Sequence, residues 1–213
     1  MIINYWLLPL ALLLLWFPRQ WLRVGPKVLK KGRSRRAGEL PEAEDAGLLW
    51  TKEFGKPRNW VDLLRAAIGA FAIAHVCFTR GDGADDSVTI IIPVIVSLLL
   101  ISAVVIQTVR FESRLAMVAP VFFAIGLGFA LIGWKAAFFA TVAAWTFNRV
   151  LSGAPGFLAI LAGLQLLFGF FLGSDGVVPV LISASLTFFP LVLSAVFRRP
   201  LVRLNKKNRA SRA

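Results

Sequence analysis

His75 and Cys77 stand two residues apart, just ahead of Asp82, Asp85 and Asp86. An imidazole within reach of several carboxylates can hold a divalent ion or relay a proton. These residues are therefore the candidate metal ligands: His75, Asp82, Asp85 and Asp86. A simpler reading has His75 hydrogen-bonded to a neighbouring helix, because a lone imidazole beside a flexible acidic loop is a poorly preset geometry. Cys77 is the single cysteine, which leaves no internal disulfide and no cysteine-cluster metal site.

A second set of polar residues lies within apolar runs: Gln165, Asn148, Ser183, Ser185 and Thr187. Such residues either line a path for a small solute or join helices by hydrogen bonds, and joining is the commoner role. A third set is cationic. Arg110 and Arg114 flank Glu112, and Lys30, Lys31, Arg35 and Arg36 lie in an earlier basic stretch. Arginine forks suit phosphate, so these six are candidates for contact with anionic lipid headgroups or an acidic partner. Their simpler role is to set membrane orientation.

Several chemistries lack their residues. No Asp or Glu falls mid-span, since Asp62, Glu112 and Asp175 all lie at span ends or in loops. Proton- and sodium-coupled carriers commonly depend on such a carboxylate. There is no glycine-rich phosphate loop with its lysine. Ser152-Gly153-Ala154 lacks the histidine of phosphatidate-phosphatase-like sites, and His75 has no Gly-x-Ser-x-Gly motif for company, as rhomboid-type proteolysis needs. The multi-aspartate signature of CDP-alcohol transferases is absent too. The sequence implies no cofactor.

What must position these residues is a set of apolar runs. Hydrophobic residues make up 58% of the chain and charged residues 16%, with mean hydropathy +0.75. A soluble domain carries roughly 25% charge in a more mixed pattern. The expected class is all-α, a polytopic transmembrane bundle of about seven spans, six plus an N-terminal one. The net charge of +13 flanks the runs rather than entering them, which argues against nucleic acid as partner.

The runs are Ile2 to Phe17, Trp60 to Thr79, Ser87 to Gln107, Leu115 to Gly133, Ala136 to Arg149, Phe157 to Leu172 and Val177 to Phe197. Residues 1–17 form an N-terminal transmembrane segment, and 18–59 a basic cytoplasmic loop with a short interfacial helix from Pro41 to Phe54. Residues 60–197 form a six-span membrane bundle and 198–213 a basic cytoplasmic tail. Small residues recur every fourth position at Ala66, Ala70, Ala74 and at Ala136, Ala140, Ala144, a spacing that lets helices approach closely. Asp62 and Arg65, one turn apart, can pair.

Basic loops stay on the cytoplasmic side. With the N-terminus out and the C-terminus in, 22 of the 24 Lys and Arg fall at the inner face, leaving Arg80 and Lys135 outside. The expected location is a bacterial cytoplasmic (inner) membrane. The expected partners are the bilayer, its anionic headgroups and another membrane protein. The expected role is a non-catalytic component or assembly partner of a cell-envelope membrane complex. Two alternatives stay open: a small-solute or lipid carrier or channel-like protein, and a lipid-processing membrane enzyme using His75 and the outer-face aspartates.

Overall fold

A computed structural model describes residues 2–18, 53–79, 86–111, 115–148, 153–173, 176–199 and 201–202. The fold is all-α, with short strand pairings at its two ends. Four helices among the described residues are long and apolar enough to cross a membrane: Pro57–Cys77, Ile90–Thr108, Gly153–Leu172 and Val177–Val196. This composition is compatible with an integral membrane protein.

The chain opens with β1 (Ile2–Ile3) and α1 (Leu7–Trp16), which stops at Phe17 ahead of Pro18. Helix α2 (Pro57–Phe71) starts on a proline, whose fixed φ and missing N–H suit the first helical position. It widens into a π turn (Ala72–Cys77) and ends in β2 (Phe78–Thr79), which pairs antiparallel with β1. Helix α3 (Asp86–Thr108) is the longest, and it leads to β3 (Val109–Phe111) and β4 (Leu115–Val118). Then come α4 (Val121–Leu131), α5 (Trp134–Phe147), α6 (Gly153–Leu172), α7 (Val177–Val196) and β5 (Leu201–Val202).

Helix α4 is the centre. Of its residues only Phe129 keeps partial exposure, and an apolar helix covered all round has to be wrapped by others. It packs on α2, α5, α6 and α7. The other helices adjoin one another in the order α2, α1, α3, α7, α6, α5. The closest approach is to α2: a Cβ added at Gly126 would lie 2.3 Å from the Leu63 carbonyl oxygen and 2.8 Å from the Ala66 Cβ. Ala66 and Ala70, two of the stripe expected on this helix, are fully buried. Ala136, Ala140 and Ala144 are fully buried as well, the last two in the cluster that joins α5 to α6.

Local structure differs from the sequence expectation in several places: Ile2 and Ile3 are strand rather than helix, and α6 starts at Gly153, ahead of the expected Phe157. The run expected as one helix from Leu115 is a strand for its first four residues, paired with β3 on one side and β5 on the other. Pro120 explains the break, since it disfavours helical backbone at Ala119 and starts the next helix cleanly. The π turn is a further difference. The reversal between α4 and α5 uses Gly133 at φ 81°, a conformation glycine adopts without cost. The basic stretch with Lys30, Lys31, Arg35 and Arg36, the helix expected from Pro41 (bar its last two residues), and the tail from Arg203 lie outside the described residues.

Candidate functional site

The densest buried polar cluster sits where α1 ends. Arg65, on the face of α2 turned inward, donates from Nε and Nη2 to Asp62 Oδ1 at 3.0 and 2.8 Å. Its Nη2 also reaches Gln107 Oε1 at 2.8 Å, and its Nη1 donates to the Phe17 carbonyl. Gln107 in turn donates from Nε2 to the carbonyls of Leu15 and Phe17, each at 3.0 Å. The last carbonyls of a helix have no intrahelical partner, and they carry the negative end of its dipole. A guanidinium and an amide close this end, and the guanidinium lies 5.6 Å over the Phe123 ring of α4. One cluster therefore ties α1, α2 and α3 together against the central helix.

Its electrostatics follow from burial. Removing an arginine or an aspartate from water costs several kcal/mol, which is recovered only with good geometry and further hydrogen bonds. The i, i+3 spacing on α2 gives the pairing, and Gln107 and the α1 carbonyls supply other bonds. A crevice lined by Asp62, Arg65, Gln107, Val118, Pro120 and Phe123 adjoins the cluster but is too tight to admit water.

A neighbouring cluster anchors the segment that precedes α2. Lys56 Nζ lies 2.6 Å from Glu53 Oε1, and Asn59 Nδ2 donates to the Glu53 carbonyl and Oε2 at 2.9 and 3.0 Å. Trp60 Nε1 donates to the Phe54 carbonyl at 2.8 Å. The Phe54 ring meets Phe122 of α4 and Trp145 of α5 edge-on, with centroids 5.4 and 5.2 Å away.

Of the residues expected to line a polar path, three meet. Ser183 and Thr187 share a face of α7 by their i, i+4 spacing, and both hydroxyls donate to Gln165 Oε1 of α6, at 3.2 and 2.8 Å. Gly128 of α4 makes room for this amide, since a Cβ there would lie 2.7 Å from Gln165 Nε2. The other two stand apart. Ser185 is exposed on the far face of α7, and Asn148 is buried at the end of α5.

His75 lies on the π turn with its Nε2 3.1 Å from the Ala130 carbonyl, at the C-terminal end of α4. Its ring leans on Phe71 with centroids 4.8 Å apart. Asp82 and Asp85 lie outside the described residues, and Asp86 opens α3 with its side chain outside the description. Among the described residues no three His, Cys, Asp or Glu side chains are grouped to hold a metal. Arg110 is placed on β3 by its backbone alone, and Arg114 is outside the described residues.

Sequence reasoning found the Asp62–Arg65 pair but missed its purpose. The available signal was Gln107, a lone amide closing a long apolar run at the same end of the bundle. No family model matches the chain, and no match was found among curated proteins or solved structures.

Proposed function

We propose that the chain is a seven-crossing protein of the bacterial cytoplasmic membrane, N-terminus out and C-terminus in. In this reading it serves as a non-catalytic component or assembly partner of a cell-envelope complex. The observation that carries the role is the filled centre: α4 packs on α2, α5, α6 and α7 and is buried nearly all round. A carrier needs a path there, whereas a scaffold needs a rigid core. Two sets of buried polar groups bond among themselves: the Ser183 and Thr187 hydroxyls close on Gln165, and Arg65 closes on Asp62 and Gln107.

Seven crossings fit the packing even where helices are short. Residues 2–17 run antiparallel along α2, from the Ile2–Thr79 pairing to the Phe17–Arg65 bond. Strand β4 and α4 together make up another crossing. The basic residues then lie on the side that the positive-inside rule requires.

The test is assembly against transport. A tagged chain solubilised in mild detergent should migrate with a larger membrane assembly, and its deletion should lower the abundance of the co-purifying partners. Solute flux in proteoliposomes of the pure chain, abolished by Gln165→Leu, would replace this reading with the carrier.

A further inference from the structure

The end of α7 is closed by an unusual residue. The Arg198 N–H donates to the Ala195 carbonyl at 3.2 Å, and the Arg199 N–H donates to the Ser194 carbonyl at 3.1 Å. This pair of bonds closes a helix through one left-handed residue, a position that glycine usually fills. Here that residue is Arg198, at φ 50°, the one non-glycine residue with positive φ among the described residues. A side chain makes that conformation costly. The link from α7 to β5 is short, Phe197 to Pro200 in the sequence.

Beyond the link, β5 forms the outer strand of the sheet. It runs parallel to β4, with Leu201 beside Met117 and Val202 beside Val118. Leu201 is buried, and the strand packs on α6 and α7. Met117 and Val118 are buried too. One edge of β4 is therefore taken by β3 and the other by β5. Without β5 that second edge would present unpaired N–H and C=O groups, a template for another strand. A second copy of the chain carries the strand that fits it.

A parallel ladder of two residues is a weak hold. Within one chain the link keeps β5 close to its site, an advantage of effective concentration. Two features offset that advantage. Extending the link frees Arg198 from its left-handed conformation, and short links under strain invite exchange of the element beyond them. A four-residue link also reaches roughly 14 Å at most, so exchanging copies must meet at the end of α7. There Val192, Val196 and Phe197 are exposed, and a two-fold axis would bring the same three residues of each copy together.

We propose that β5 is an exchangeable strand, with Arg198 as the strained hinge that favours opening. In a pair of copies each lays Leu201 and Val202 along β4 of the other. The occupant of the β4 edge is then a second copy, and each copy supplies a buried leucine to its partner. The exchange draws on the fold alone and stands apart from the membrane threading above.

The test uses disulfides across the register. In a full-length Cys77→Ser background, Met117→Cys and Leu201→Cys are placed on separate, differently tagged chains, co-expressed and mildly oxidised. A disulfide-linked dimer carrying both tags should form, well above the collision level given by Met117→Cys with Phe188→Cys. Adding Arg198→Gly, which removes the strain, should lower that yield about five-fold or more. Val118→Cys with Val202→Cys repeats the test should the first pair fail to fold. A bridge that forms only when both cysteines share one chain would overturn the proposal, because β5 then stays at home. No bridge in either arrangement would overturn it as well, since the β4–β5 pairing would be absent. A dimer yield unaltered by Arg198→Gly would remove the hinge and the proposal with it.

Discussion

Arg65 and Gln107 lie 42 positions apart in sequence and meet at 2.8 Å, each also holding the Phe17 carbonyl. Through this contact the end of α1 is fixed to two helices at once, and the shortest helix of the bundle becomes one of its least movable parts. The buried pair with Asp62 makes the arrangement sensitive to loss of either charge.

Arg65→Met should therefore destabilise the fold by about 3–5 kcal/mol, because it removes the charge that pairs with the buried Asp62 carboxylate. Adding Asp62→Asn should recover part of that loss. Thermal unfolding in detergent measures both, and a double variant less stable than Arg65→Met alone would contradict the pairing.

Gly126 and Gly163 separate packing from propensity. A methyl at Gly126 meets the backbone of α2, while Gly163 has open space around it. Gly126→Ala should cost about 1–3 kcal/mol or more by overpacking. Gly163→Ala should be neutral or up to about 1 kcal/mol stabilising, since alanine is the better helix former.

Much of this was legible in the sequence, and the failures have a common cause. The limits of α7 and the end of α6 were set by local signals, the glycines at 173 and 176 and the length of the apolar run. The i, i+4 relation of Ser183 and Thr187 was local too. Their convergence on Gln165 was not, because it depends on how α6 and α7 rotate against each other. Strand β4 was hidden too: Leu115 to Val118 are apolar enough for a helix, and they are extended by pairing with β3 and, at Met117 and Val118, with Leu201 and Val202 far down the chain. The π turn left no compositional trace.

The Gln165 cluster should behave as helix glue. Thr187→Val should cost about 0.6–2 kcal/mol, the range for hydrogen bonds between membrane helices. Gly128→Ala should cost more than Thr187→Val, because it displaces the whole amide. Equal stability of both variants and the parent would remove the cluster from the account.

The alanine stripe of α5 gives an internal control. Ala140 is fully buried and Phe139 is 49% exposed. Ala140→Leu should lower detergent stability by about 1–3 kcal/mol or block assembly, whereas Phe139→Leu should change little. Similar effects from both would make the stripe accidental.

Threading through the bilayer is the claim on which the rest depends, and accessibility of single thiols tests it most directly. In a Cys77→Ser chain, cysteines placed at Ala84 or Ser174 should react with an impermeant thiol reagent applied to intact cells. Cysteines at Ser34 or Ser211 should react only after the membrane is broken. Labelling of Ser34→Cys in intact cells would contradict the orientation, and with it the account of which face the basic residues occupy.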